Sequence, residues 1–243
     1  GNKAARTPDG RPRPVFEETV AMRDPARPKS VSNLAPPAPS AASIALHRSG
    51  FGPRPGDVAA FQGLGANDTE RLTAWVDQQL DPASIDDSAA DARVAQSGFV
   101  TLDQPLTQLY FDRVVNYSEW EDHVQPYDET VLATLIRAVH SRRQLFELLG
   151  DFWHNHFSIY AAEFGFVAFS PVFDREVIRA HALGIFRDML EAVASSTPML
   201  WYLDNNDNSF EDPNENYARE MLELHTLGAD AYYGSIDPGD VPT

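Results

Sequence analysis

An all-α fold, an irregular multi-helix domain preceded by an extended Pro-rich arm, is predicted by three features of the 243-residue sequence. From Ile44 onward apolar residues recur at helical spacing, and helix start and stop signals are frequent. The first 41 residues are rich in Pro, Arg, Ala and Ser. No convincing series of alternating strands and no fixed-period repeat competes with that pattern.

The arm, residues 1–41, runs into "PKSVSNLAPPAPSAAS". Prolines at this density fix the backbone extended and remove amide donors, so neither helix nor sheet is expected. It reads either as a tail or as a strap that lays Arg6, Arg11, Arg13, Arg23 or Arg27 on an acidic surface. The charge distribution suits the second: up to Arg48 there are eight basic and four acidic residues, whereas the remainder holds 11 basic and 32 acidic. A formal charge of −17 argues against a nucleic-acid partner, because phosphates are gripped by Lys and Arg. With no cysteine, thiolate nucleophiles, disulfides and cysteine-held metal centres are excluded. No apolar run approaches the roughly 18 residues of a membrane span.

Residues 42–243 form the helical portion. "IALHRSGFG" reads as a short helix stopped by Gly50, and "GDVAAFQGLG" as another stopped by Gly65. "NDTERLTAWVDQQLDP" places Leu72, Trp75, Val76 and Leu80 on one face before Pro82. From Asp128 to His140, Val131, Leu132, Leu135, Ile136 and Val139 share one face of a helix. Ser141 followed by Gln144 resembles a capping box opening the next helix. "DREVIRAHALGIFRDMLEAVAS" reads as one long amphipathic helix. "DPNENYAREMLELHTLG" has Asp212 as N-cap, Pro213 and Glu215 in the first turn and Gly228 as the stop.

Three polar stretches could carry chemistry. In "DFWHNHF", His154 and His156 are two apart. On a continuous helix they point about 200° from each other and cannot chelate one ion; in an extended chain they would share a face. His156 is either a hydrogen-bonded core histidine or a ligand or acid/base group. His154, with Asp151 three residues earlier, is either structural or a site residue whose ring Asp151 orients. In "NENYAREMLELHTLG", Glu220, Glu223 and Asn216 share a face, with His225 opposite. Such Glu pairs occur both in metal sites and on solvated helices. In the third stretch Arg179 either pairs with Glu176 on the helix surface or reaches, with His181, into a cleft. No HExxH, GxSxG, P-loop or GxGxxG sequence is present, so zincin, serine-hydrolase and nucleotide readings lose their usual support.

"DFWHNHF" (151–157), "DREVIRAHALGIFRDML" (174–190) and "NENYAREMLELHTLGAD" (214–230), with the earlier "HRSGFGPRPGDV" and later "PMLWYLDN", together resemble the DUF1800 family of bacterial proteins. Ala180 stands where that family usually has proline. The resemblance implies export to the periplasm or cell surface. It also implies a C-terminal portion absent from this chain, because "AYYGSIDPGDVPT" reads as a surface loop. A second chain carrying that portion, or another exported protein, is the expected partner, laid on an apolar face of the helix ending near Leu227, with Thr243 on the surface. The resemblance supplies no reaction.

Two functions follow from the residues. In the first, an exported enzyme or metal protein uses His154, Asp151, Glu220 and Glu223 as acid/base groups, or His154, His156, Glu220, Glu223 and His225 as ligands to zinc, iron or manganese. In the second, the chain is a non-catalytic structural or assembly subunit of a cell-surface complex, and these residues are buried networks. Helical phase further predicts that His156 packs inward while His154 faces a polar pocket with Asp151, approaching the helix that carries Glu220 and Glu223.

Overall fold

The computed structural model describes residues 38–160, 164–211 and 213–228. The chain divides into two units, Gly1–Ala38 and Pro39–Thr243, and the helices below belong to the second. Residues 1–37 of the arm with its arginines, Asp212, Asp230 and Thr243 lie outside the described residues.

In chain order the helices are α1 (Ala41–Arg48), α2 (Asp57–Gln62), α3 (Asp68–Leu80), α4 (Ser88–Gln96), α5 (Leu106–Tyr110), α6 (Trp120–His140), α7 (Gln144–Phe157), α8 (Phe164–Val172), α9 (Arg179–His181), α10 (Phe186–Ala194), α11 (Thr197–Tyr202) and α12 (Glu215–Leu222). π-helical turns extend α5 (Phe111–Val115), join α8 to α9 (Phe173–Ile178) and extend α12 (Glu223–Leu227). No strand occurs among the described residues, so the fold is all-α as the periodicity predicts. The first helix begins at Ala41 because Ser40 caps it, accepting a hydrogen bond from the Ser43 amide at 3.2 Å.

α8 is the centre of the array. Every residue from Gly165 to Val172 is buried, which suits its nearly all-apolar sequence. It packs against α6, α11 and α5. A Cβ at Gly165 would stand 2.6 Å from the Trp201 ring, so glycine is needed for the α8–α11 approach. The main core gathers Phe157, Phe166, Phe173, Ile178, Met189 and Met199. A smaller one gathers Ala42, Leu46, Phe61 and Trp75 from α1 to α3.

Two prolines sit inside helices, and each frees a carbonyl four residues earlier. The Pro171-freed carbonyl of Val167 accepts the Ser170 hydroxyl at 3.3 Å. The Pro126-freed carbonyl of Asp122 accepts Arg113 Nη1 at 3.2 Å. Side chains therefore supply the donors that the backbone lacks.

The turn between α6 and α7 is held from several sides. Arg54 Nη1 donates to the carbonyls of His140 (2.9 Å) and Ser141 (2.5 Å). Asp87 accepts from the Ser141 hydroxyl (2.7 Å) and the Arg142 amide (2.6 Å). Gln79 bonds both the Arg142 carbonyl and the Leu145 amide. Gln144 turns its amide group back on the carbonyls of Ala138 and Ser141 and accepts the Phe51 amide at 3.0 Å. This set locks the start of α7, and so the later position of its histidines.

Two expectations need correction, and two apolar faces lie outward. Ser141 ends α6 and no capping box forms: its hydroxyl donates to Asp87 and accepts the Arg143 amide at 2.9 Å, while the Gln144 side-chain amide donates to the Ala138 and Ser141 carbonyls. The long amphipathic helix is two, broken at Gly184, whose amide bonds back to the His181 carbonyl. The Leu72/Val76/Leu80 face is exposed, and Trp75 with Gln79 carries the burial of α3. The Val131/Leu132/Leu135/Val139 face of α6 is also exposed among the described residues; α6 buries His123, Pro126, Glu129, Thr130 and Ala133 instead. Glu129 is stable there because it accepts the Val100 and Thr101 amides and the Thr101 hydroxyl at 2.6–2.9 Å.

Candidate functional site

α7 remains helical to Phe157 and ends at Ser158, which takes the left-handed conformation at φ +45°. His154 and His156 therefore stand on different faces, as a continuous helix requires. They meet different partners.

His154 Nε2 lies 3.0 Å from Asp174 Oδ1. Asp174 sits in the π-helical turn after α8 and is 6 % exposed. Burial pushes its carboxyl up, but the His154 hydrogen bond and the charges of Arg179, His154 and Arg137 outweigh burial and hold it below the usual carboxylate range. An ionised carboxylate can only accept, so Nε2 carries the proton and Nδ1 is the basic atom of the neutral ring. Arg137 Nη1, on α6, stands 3.6 Å from the other Asp174 oxygen.

Beside this dyad, Arg179 grips buried Glu147 with two bonds of 2.7 Å, and its guanidinium lies 4.8 Å from the centre of the Phe146 ring. Burial opposes the Arg179 charge, but the Glu147 bonds and the nearby carboxylates raise its pKa above the ordinary value. Burial together with the Arg179 charge lowers that of Arg137. Five groups from α6, α7 and the α8–α9 run thus form one buried polar network.

His154 also lines a cleft of about 340 Å³ between α6, α7 and α8. Tyr127, Val131, Leu135, Ile159, Phe166 and Phe173 form its apolar wall; Thr130, Thr134, Asp151, Asn155 and Ser170 are its other polar groups. The arrangement can hold a small molecule beside an oriented imidazole.

The second histidine belongs to another cluster. His156 Nε2 donates to the His225 carbonyl at 3.3 Å, and its ring is ringed by Phe152, Trp153, Phe157 and Phe186. It is half-buried. His225 is 4 % exposed, and its Nδ1 has no hydrogen-bond partner among the described residues. Burial, with help from His156 and against the pull of Glu220, lowers the His225 pKa.

The sequence-predicted residues are therefore brought together only in part. The partner of His154 is Asp174, not Glu220 or Glu223. Glu220 stays local, 3.5 Å from Arg219, which also holds Asn216. Glu223 opens the last π-helical turn, and its side chain makes no hydrogen bond or ion pair among the described residues. Asp151 lines the cleft but leaves the His154 ring to Asp174. Among the described residues no three His, Asp or Glu side chains are placed to hold a metal ion, so the five expected ligands do not form one set there. Arg179 pairs with Glu147 rather than Glu176, which takes Arg175 at 2.6 Å; His181 bonds the Val177 carbonyl at 2.8 Å instead of entering a cleft. Leu222, Leu224 and Leu227 are exposed at the end of α12 and its π-helical turn.

Asp174, Glu147 and Arg137 are the site residues that sequence reasoning missed. The available signal was an acidic residue inside an apolar run, as Asp174 stands after "FSPVF".

A family model described as "Protein of unknown function (DUF1800)" matches residues 44–237. None of the curated proteins matches the chain, and no solved structure does.

Proposed function

The chain belongs to the DUF1800 family, and from that premise we propose that it is an acid/base enzyme acting in the periplasm or at the cell surface, with His154 as the proton-transfer group. The observation that carries this reading is the His154–Asp174 contact of 3.0 Å at the wall of the cleft. Asp174 fixes the tautomer and steadies the positive ring that forms when Nδ1 takes a proton. Arg137 and Arg179 keep Asp174 ionised. Placement of the enzyme outside the cytoplasm rests on the family resemblance. No step is assigned to a metal.

A generic acyl probe tests the chemistry without knowledge of the natural substrate. The wild-type protein is expected to hydrolyse p-nitrophenyl acetate faster than free imidazole at equal concentration. His154→Gln abolishes the excess, and Asp174→Asn lowers it by about 10²-fold, the lower range for a positioned acid/base group. Unchanged hydrolysis in both variants, with only their stability reduced, would favour the non-catalytic assembly role, in which the same network ties α6, α7 and α8 together.

A further inference from the structure

We infer that the cleft beside His154 takes a primary ammonium group carried on a small polar molecule. The inference deepens the acid/base reading and rests on the cleft being the functional site. Its basis is where the cleft's own protons already point.

The Thr130 hydroxyl donates to the Pro126 carbonyl at 2.8 Å, and the Thr134 hydroxyl to the Thr130 carbonyl at 2.9 Å. Ser170 donates to the Val167 carbonyl at 3.3 Å, which Pro171 has freed. The Asn155 amide nitrogen donates to the Asp151 carbonyl at 2.8 Å. Each of the three hydroxyls has given its proton to a helix carbonyl and offers lone pairs, with the Thr130 and Ser170 oxygens 3.4 Å from each other; Asn155 offers its Oδ1 beside one remaining N–H. Asp151 adds an exposed carboxylate that makes no side-chain hydrogen bond or ion pair among the described residues.

No lysine or arginine lines the cleft among the described residues. Acceptors thus outnumber the donors left in the lining, one Asn155 N–H and the Tyr127 hydroxyl. An anionic ligand would meet Asp151 and the field of a chain with charge −17, whereas an ammonium brings three donors and a positive charge. The aromatic wall of Tyr127, Phe166 and Phe173 adds attraction for a cation within reach of a ring face. The volume of about 340 Å³ suits a molecule of monosaccharide size.

The test uses three probes of one shape: glucosamine, glucose and glucuronate, titrated calorimetrically into the full chain at pH 7 and low salt. Glucosamine is expected to bind about fivefold tighter than glucose, the scale of one exposed ion pair, and glucuronate weakest. Asp151→Asn erases the glucosamine preference, and Asp151→Glu retains part of it, with circular dichroism confirming that both variants fold. Equal binding of glucosamine and glucose, a preference that survives Asp151→Asn, or no binding of glucosamine at all overturns the proposal. His154→Gln separates this claim from the catalytic one. Retained glucosamine preference in that variant, with no acyl-probe activity even in the wild type, leaves the ammonium site standing and removes the enzyme.

Discussion

Replacing Arg179 by methionine exposes what the buried network contributes. The side chain of Glu147 is 4 % exposed and that of Arg179 18 %, and two bonds of 2.7 Å join them. Removing the guanidinium leaves a buried carboxylate without its hydrogen-bonded cation, and Arg137 acts on it only through its charge. Breaking one side of a buried pair costs about 3–5 kcal/mol. Arg179 also helps keep Asp174 ionised, so its loss weakens a second group. In a unit of this size the cost corresponds to a melting temperature lower by roughly 6–20 °C. Urea denaturation followed by circular dichroism measures it. The double variant Glu147→Leu with Arg179→Met is expected to regain at least half of the loss, because an apolar pair removes the stranded charge. A single Arg179→Met variant within about 1 kcal/mol of wild type, the error of the method, would show that this pair is neither desolvated nor coupled.

Other consequences are as specific. Gly50→Ala places a Cβ 2.7 Å from Gln144 Cβ and Oε1, so it is expected to cost about 1–3 kcal/mol in a thermal melt, and Gly50→Ala with Gln144→Ala should recover part of it. Because the folded-state pKa of Asp174 is depressed, its stabilising contribution is full above the unfolded aspartate value of about 3.9 and is lost as pH falls through the lower folded value. Asp174→Asn should therefore be less stable than wild type at pH 7 and draw level with it in acid, as paired urea melts at both pH values would show. His225 is also depressed: the unfolded ring takes up protons first, so stability falls as pH drops below the unfolded histidine value of about 6.5. His225→Phe should flatten that limb of the stability–pH curve.

Helices were legible where caps and stops are local. Gly228 acts where helix-boundary chemistry puts it, with a φ of +82°, whereas the cap of α12, expected at Asp212, is Asn214, whose side chain accepts the Tyr217 amide at 2.8 Å. The separation of His154 from His156 also followed from the 3.6-residue turn alone. The partner of His154 did not, for a physical reason. Asp174 and His225 lie in π-helical turns, where the wider turn shifts every later side chain out of the ordinary helical phase. A face drawn from that phase puts Glu220 and Glu223 together and leaves Asp174 unmarked. On α6 the apolar stripe is real, but α8 packs against the other side, where Thr130 and Glu129 satisfy their polar groups internally. An apolar face shows what a helix can bury, and tertiary contacts decide which face it does bury.

The central claim is that Asp174 holds His154 with its proton on Nε2 and its lone pair on Nδ1, ready to act as a base. Long-range ¹H–¹⁵N correlation spectra of the ¹⁵N-labelled protein at mildly alkaline pH, with His154 assigned through His154→Gln, report that tautomer directly. The account predicts a neutral His154 ring protonated at Nε2 in the wild type, with the tautomers mixed in Asp174→Asn. A His154 ring protonated at Nδ1, or a spectrum unchanged by Asp174→Asn, would contradict it.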